Sequence, residues 1–391
     1  MKRYTGKEKS LNILLILLSL LIGLLICEVG LRLVKEKSDI FPTNPTPDPI
    51  LGLRLQPFES GTDARGFRNS KAEGYFPILC IGDSLTYGYG LPLKDTIPQQ
   101  LSLILGKNVY NMGLPSYGPV QYYELYKVSR KMQPQKTIIA FFMGNDLLDA
   151  YFLVKKNKYW HWLLKEIGGD DQLRALSFCS LPVDTDKIDV QYLDPERINL
   201  NLRKGGSLIW AVHSWLRLHS ALYANAFELI VKPLVQKHLQ LPGFFHTPSI
   251  DTVFVPGGNL KFQDLHDPRV RSGLLITKRI IELLSLEQRG QPDLLFTIIP
   301  TKENVYYEFL KKKNITLPNE FECAVHYERE ISQWLTEIIT ANGVGFVNVF
   351  PPLAESAADG TLLYQQLSDC HLNRAGNRIV ATALGKALKD Q

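Results

Sequence analysis

The apolar run Phe76-Pro77-Ile78-Leu79-Cys80-Ile81 passes straight into Gly82-Asp83-Ser84, and then into Leu85-Thr86-Tyr87-Gly88. A short strand that is apolar on both faces belongs in a buried parallel sheet, whose strands are joined through helices. At such a strand-to-helix turn a serine hydroxyl stands at the strand's carboxyl end, beside the unpaired N–H groups of a helix start. Open α/β sheets hold their ligands at that rim. The competing reading for Ser84 is a plain helix N-cap.

The strand expected at about 76–82 is followed by similar short apolar runs at about 107–112, 136–144, 293–300 and 343–350. Helical periodicity lies between them, over Thr96–Leu105 and over Val270–Gln288 behind Pro268, and it closes the chain over Arg374–Lys389. This alternation predicts a three-layer α/β/α sandwich with a central parallel five-stranded sheet. The third and fourth strands are about 150 residues apart, far beyond an ordinary crossover, so an insertion is expected at about 151–262 as a candidate lid. It contains Trp160, Trp162, Trp210 and Trp215, which are expected to fill its own core. Leu208–Val231 reads as an amphipathic lid or packing helix, because Arg217 and Glu228 argue against a membrane span.

Residues 1–34 read as a short cytoplasmic stub followed by one transmembrane signal anchor. Lys2, Arg3, Lys7 and Lys9 precede a stretch from Leu11 to Val34 that only Asn12, Ser19, Glu28, Arg32 and glycines interrupt. At about 1.5 Å per residue it would cross a hydrocarbon layer of roughly 30 Å. A cleaved signal peptide is the rival; its apolar region is usually shorter, and no small-x-small site follows. The basic start favours a cytoplasmic N-terminus with the bulk of the chain outside the cytoplasm. Glu28 and Arg32 have the spacing of a helical ion pair. Residues 35–75, with Pro42, Pro45, Pro47 and Pro49, read as an extended spacer, and 76–391 as the sheet domain. Within the spacer, Asp63-Ala64-Arg65-Gly66-Phe67-Arg68 either packs on the domain or forms a surface turn.

Several chemistries find no support. The chain lacks a His-Glu-x-x-His or Cys-x-x-Cys pattern, a Walker loop and a complete dinucleotide fingerprint, so no metal or cofactor is expected. Thr86 stands where the lipase-type Gly-x-Ser-x-Gly elbow needs its second glycine. A net charge of +5 with no long basic run beyond the N-terminus gives no support to nucleic-acid binding. The five cysteines read as free small apolar residues, although Cys179 and Cys323 could be bridged in an oxidising compartment.

Three further segments bear on Ser84: Asn108–Gly113, a strand ending in glycine; Thr137–Asp146, a strand ending in Gly144-Asn145-Asp146; and Ser368-Asp369-Cys370-His371-Leu372-Asn373. A neutral serine needs an adjacent base, and His371 follows the last expected strand with Asp369 two residues before it. Asp369 would orient the imidazole and stabilise its cation. The four blocks resemble those of the SGNH hydrolases, the GDSL esterase/lipase superfamily, with Ser84, Gly113, Asn145 and His371 in matching order.

The resemblance implies a Ser84–His371–Asp369 catalytic set with Ser84 as nucleophile. It also implies an oxyanion hole made by the Ser84 N–H, the Gly113 N–H and the Asn145 side-chain amide. Turn roles compete for Gly113 and Asn145. Most of the superfamily has Asp-x-x-His, whereas Asp369-Cys370-His371 has the Asp-x-His spacing of acetyl-transferring relatives, so a Ser–His dyad stays open. The expected function is a membrane-anchored serine esterase acting on O-acyl esters of a cell-surface glycan or lipid. The alternatives are an O-acyltransferase and a non-catalytic binding protein.

Overall fold

The computed structural model describes residues 6–34, 45–58, 61–70, 74–177, 179, 216, 220–226, 245–288, 294–365 and 368–389. They fall into two units, one from residues 1–38 and 190–239 and the other from 39–189 and 240–391.

In the first unit, α1 (Gly6–Val34) covers the expected membrane segment. Its side chains are described from Leu15 to Gly30 except at Leu17. Among the described residues no helix is long and apolar enough to cross a membrane, and the expected span is not borne out. Glu28 Oε2 accepts hydrogen bonds from Ser220 Oγ at 2.9 Å and Leu222 N at 2.8 Å. Glu28 thus satisfies the start of a one-and-a-half-turn helix over Ala221–Ala226. The Arg32 side chain, Trp210, Trp215 and most of the expected helix 208–231 lie outside the described residues.

The second unit has the expected sheet. Five strands, β3 (Ile78–Gly82), β4 (Val109–Gly113), β5 (Lys136–Phe142), β6 (Leu294–Ile299) and β7 (Gly345–Val347), run parallel in the order β4-β3-β5-β6-β7. Alternate side chains feed two apolar layers. Ile78, Cys80, Ile138, Ala140, Phe142 and Leu295 face a core that includes Leu101 of α3 (Ile97–Leu105) and Val380 and Leu384 of the C-terminal helix Arg374–Lys389. The other side is covered by α4 (Pro119–Ser129), α5 (Asp146–Lys156) and the helix Pro268–Glu287. The helix starts follow local chemistry. Thr96 Oγ1 accepts from Gln99 N at 3.4 Å, and the Asp267 carboxylate accepts from Arg269 N at 2.8 Å. With β4 and β5 on opposite flanks of β3, the strand order reverses about the strand that carries Ser84. That is where open α/β sheets form their binding crevice.

The spacer reading is corrected over residues 45–70. Thr46–Asp48 (β1) and Gly52–Arg54 (β2) form an antiparallel hairpin, and Pro49–Leu53 supply carbonyls to the sheet unit. Trp160 Nε1 donates to Ile50 O at 2.7 Å, and Tyr117 Oη donates to Leu53 O at 2.9 Å. Composition hid this, because prolines that suit a linker also suit an edge hairpin. The expected 151–262 insertion is also divided. Residues 151–176 and 245–262 belong to the sheet unit, and Trp160, 1 % exposed, packs there.

The free-cysteine reading is corrected for one pair. Cys179 and Cys323 form a disulfide with Cα atoms 5.8 Å apart, leaving Cys27, Cys80 and Cys370 free. Alkylation of the denatured protein should therefore label three cysteines before reduction and all five after it. Reduction should also lower stability by about 2–5 kcal/mol, read as a fall in thermal midpoint.

Gly273 on the helix Pro268–Glu287 lies against α5, where an added Cβ would sit 2.0 Å from Leu147 O. Gly273→Ala should therefore push the helices apart at a cost of about 1–3 kcal/mol. Thermal melting several degrees below wild type would register this, and an unchanged midpoint would count against the close crossing.

Candidate active site

The turn after β3 is built by close backbone approach. Asp83, with φ −94° and ψ −146°, caps the one-turn helix α2 (Ser84–Tyr87), its Oδ1 accepting from Leu85 N at 2.9 Å. Gly88 ends that helix at φ +79°, a left-handed conformation that favours glycine. Arg68 is fully buried and donates to Tyr87 O at 3.1 Å, Gly88 O at 2.8 Å and Leu91 O at 2.5 Å. The Asp63–Arg68 segment therefore packs on the domain and supplies donors to the Tyr87 and Leu91 carbonyls, sharing Gly88 O with Leu91 N. Asn69 extends the contact: its Oδ1 accepts from Asn111 N at 2.8 Å and its Nδ2 donates to Asn111 O at 3.0 Å.

The structure brings Ser84, His371 and Asp369 together at the sheet's carboxyl rim. Ser84 Oγ lies 2.9 Å from His371 Nε2, and His371 Nδ1 lies 2.8 Å from Asp369 Oδ1. The same carboxylate oxygen accepts the backbone N–H of His371 at 2.8 Å. That double acceptance is how an Asp-x-His spacing works: the acid reaches the ring by closing a tight Asx-type turn. Asp264-Leu265-His266 makes the same turn elsewhere, with the His266 backbone N and ring Nδ1 each 3.0 Å from Asp264 Oδ1. The geometry is therefore local to the tripeptide. With Nδ1–H donating to Asp369, the lone pair of Nε2 faces the Ser84 hydroxyl.

Neighbours fix this loop. Asn373 Oδ1 accepts from Ala375 N at 2.8 Å and Gly376 N at 3.1 Å at the start of the C-terminal helix. Gln365 N donates to His371 O at 2.8 Å, and Gln365 Nε2 donates to Tyr89 O at 2.6 Å. The Tyr89 ring stacks on the imidazole with centroids 4.8 Å apart. Buried Lys302 donates to Asp369 O at 3.1 Å. Burial pushes the Asp369 carboxyl up, but the His371 hydrogen bond and charge, the backbone N–H and Lys302 together outweigh it. Asp369 is held below the ordinary aspartate range.

Asp83 is in the opposite situation. It is wholly buried, and burial pushes its carboxyl up to about 6 against the pull of Leu85 N and the His371 charge. Its Oδ2 lies 3.3 Å from Ser84 Oγ. Asp369, Cys370 and His371 also bring metal-type donor atoms within 4.8 Å of one another. They do not fit a metal, because Asp369 Oδ1 and His371 Nδ1 are bonded to each other and His371 Nε2 meets Ser84 Oγ, so the donor atoms are already spent.

The oxyanion side differs in detail from the expectation. Asn145 follows β5 and makes no side-chain cap to α5; its Nδ2 donates to Asp149 Oδ2 at 2.5 Å. One amide hydrogen is thus held and the other is left for a ligand. The Gly113 N–H donates to Asn111 Oδ1 at 2.8 Å, so this expected donor is already engaged. Glycine is needed at 113 because a Cβ there would lie 2.3 Å from Tyr87 N; the requirement is set by α2. The Ser84 N–H begins α2 with no partner among the described residues. Sequence reasoning missed Tyr89, Asp149, Asn111 and Lys302. Only the Asn145-x-x-x-Asp149 spacing carried a helical i,i+4 signal.

No protein-family model matches the chain, and no curated protein matches it. Three solved structures resemble it loosely. One is from Veillonella parvula, a member of the lipolytic G-D-S-L family, at 10% identity over 80% of this chain and 98% of that one, with a TM-score of 0.35. Another is from Desulfitobacterium hafniense, provisionally assigned to the same family, at 12% identity over 79% and 97%, with a TM-score of 0.34. The third is from Slackia heliotrinireducens, provisionally an SGNH hydrolase, at 10% identity over 81% and 100%, with a TM-score of 0.34. The reading of the site rests on its own geometry.

Asp83 makes this geometry pH-sensitive. Its folded carboxyl binds a proton more tightly than the ordinary value of 3.8, so the unfolded chain releases its proton first as pH rises. Asp83 should lower stability by up to about 3 kcal/mol between about pH 4 and 6, alongside the slope from the buried carboxyls of Asp146, Asp149 and Glu328, and Asp83→Asn should remove only the share that belongs to Asp83. Chemical denaturation of both proteins across this window measures the difference.

Proposed function

We propose that the protein is a serine esterase of the SGNH type that hydrolyses O-acyl esters through an acyl-enzyme on Ser84. One observation carries the reading: the unbroken hydrogen-bond line from Ser84 Oγ through His371 to Asp369 at the strand-order reversal. His371 takes the serine proton as Oγ attacks the ester carbonyl and returns it to the leaving alcohol. A water deprotonated by the same imidazole then attacks the acyl-serine, and the imidazolium returns that proton to Ser84 Oγ as the acyl–oxygen bond breaks and the acid leaves. Asp369 keeps the ring in the productive tautomer and offsets its charge while the proton resides there. The Asn145 amide and the Ser84 N–H are the donors best placed for the tetrahedral oxyanion, and such a donor contributes about 3–4 kcal/mol. The Gly113 N–H would have to leave Asn111 Oδ1 to join them.

The N-terminal segment is read as an anchor, with the sheet unit outside the cytoplasm. Support comes from the apolar sequence from Leu11 to Cys27 and from Leu15, Leu20, Leu25 and Val29, each about half exposed. A helix apolar on every side wants an apolar surround. The Cys179–Cys323 disulfide fits an oxidising compartment. A second reading, acyl transfer to a sugar hydroxyl, shares the same intermediate and is favoured by the Asp-x-His spacing.

Labelling of the full chain with a fluorophosphonate probe tests the reading. Wild type should label and Ser84→Ala should not. His371→Ala should lower ester hydrolysis by roughly 10³-fold or more, and Asp369→Asn by roughly 10²- to 10⁴-fold. A wild type as unreactive as Ser84→Ala toward both the probe and a broad ester panel would overturn it.

A further inference from the structure

A closed circuit of contacts through Tyr89 surrounds the Ser84–His371 pair. The Tyr89 N–H donates to Ser84 O at 2.9 Å, which fixes Tyr89 to the turn that carries the nucleophile. Its own carbonyl accepts from Gln365 Nε2 at 2.6 Å, and the Gln365 N–H donates to His371 O at 2.8 Å. The circuit closes where the Tyr89 ring lies over the imidazole, with centroids 4.8 Å apart and planes 27° from parallel.

Both imidazole nitrogens are committed in the plane of the ring. Nδ1 meets Asp369 Oδ1 at 2.8 Å, and Nε2 meets Ser84 Oγ at 2.9 Å. The His371 side chain is 16 % exposed, so little water reaches its faces. When Nε2 takes the serine proton the ring becomes a cation, and its remaining contacts are made through those faces. Tyr89 covers one of them. An aromatic ring is negative on its face and attracts a cation within about 6 Å of its centroid. A neutral imidazole gains far less from the same contact. The attraction therefore grows as the proton moves, which is the condition for speeding a step rather than tightening the resting site. Asp369 offsets the new charge along the Nδ1 edge, whereas Tyr89 acts through the face.

We propose that Tyr89 is a positioning residue that acts through His371, stabilising the imidazolium by the charge distribution of its ring. The inference rests on the serine-esterase reading above. Formation and breakdown of the acyl-enzyme each pass through the imidazolium, so both steps slow together when the face of the Tyr89 ring is made less negative.

The test places phenylalanine and its mono-, tri- and pentafluorinated forms at position 89 of the full chain. The series drains negative charge from the ring face while nearly keeping its shape, and Tyr89→Phe is its reference. The second-order rate constant for labelling by a fluorophosphonate probe is the readout, and it needs no knowledge of the natural ester. In that reaction Ser84 Oγ bonds to phosphorus, fluoride leaves, and the serine proton passes to His371 Nε2. The rate should fall stepwise with fluorination, by roughly 2- to 30-fold across the series. Tyr89→Leu should fall at least as far, and thermal midpoints across the fluorinated series should stay close to that of Tyr89→Phe.

A rate that stays flat across the ring series, with or without a loss at Tyr89→Leu, overturns the inference and leaves the esterase reading standing. A loss confined to variants whose thermal midpoint also drops overturns it too. Wild type that labels no faster than Ser84→Ala overturns both.

Discussion

Backbone meets backbone where α2 leaves β3, and the site depends on that contact. A Cβ on Gly82 would lie 2.8 Å from Thr86 Cβ and one on Gly113 2.7 Å from Thr86 C, so the helix can sit down on the strand ends only over glycine. The contact is then locked by Asn111, whose Nδ2 donates to Thr86 O at 3.0 Å while its Oδ1 takes the Gly113 N–H. Ser84 is placed as a consequence. Its hydroxyl emerges from a turn held on one side by β4 and on the other by the Arg68 guanidinium.

The electrostatics divide sharply across a short distance. Asp83, Asp146 and Asp149 are fully or nearly fully buried, and burial together with mutual repulsion raises Asp146 and Asp149 well above ordinary carboxyls. Asp369, ringed by donors and by Lys302, is driven the other way. The carboxyl beside the imidazole therefore stays ionised, while those behind the serine and the amide resist ionisation. Pairs of acids pushed apart in this way are common at sites of proton transfer.

Much of this was legible in the sequence, for reasons that can be given. The five strands announced themselves as apolar runs with both faces buried, and Ser84, Asn145 and His371 each stood just beyond a predicted strand or at a helix start. Local turn chemistry was readable too, as at Thr96 and Asp267. What stayed hidden was set by tertiary contact. Nothing in Pro45–Arg68 reports that Tyr87, Gly88 and Leu91 carbonyls need a donor from outside. The ring stacked on His371 and the acid behind Asn145 have no spacing that singles them out beyond a single helical turn. The Cys179–Cys323 bridge was open in the sequence only as a possibility, because the residues are 144 apart and nothing local demands their pairing.

Arg68 also settles where the folded body begins. A chain cut at the first strand would keep every residue of the Ser84–His371 line and yet strip the guanidinium from three carbonyls beneath it. Gly88 O would keep the Leu91 N–H, but Tyr87 O and Leu91 O would lose their close donor, and a buried acceptor left bare costs about 1–3 kcal/mol. The stretch that looks like a tether is thus the floor of the site.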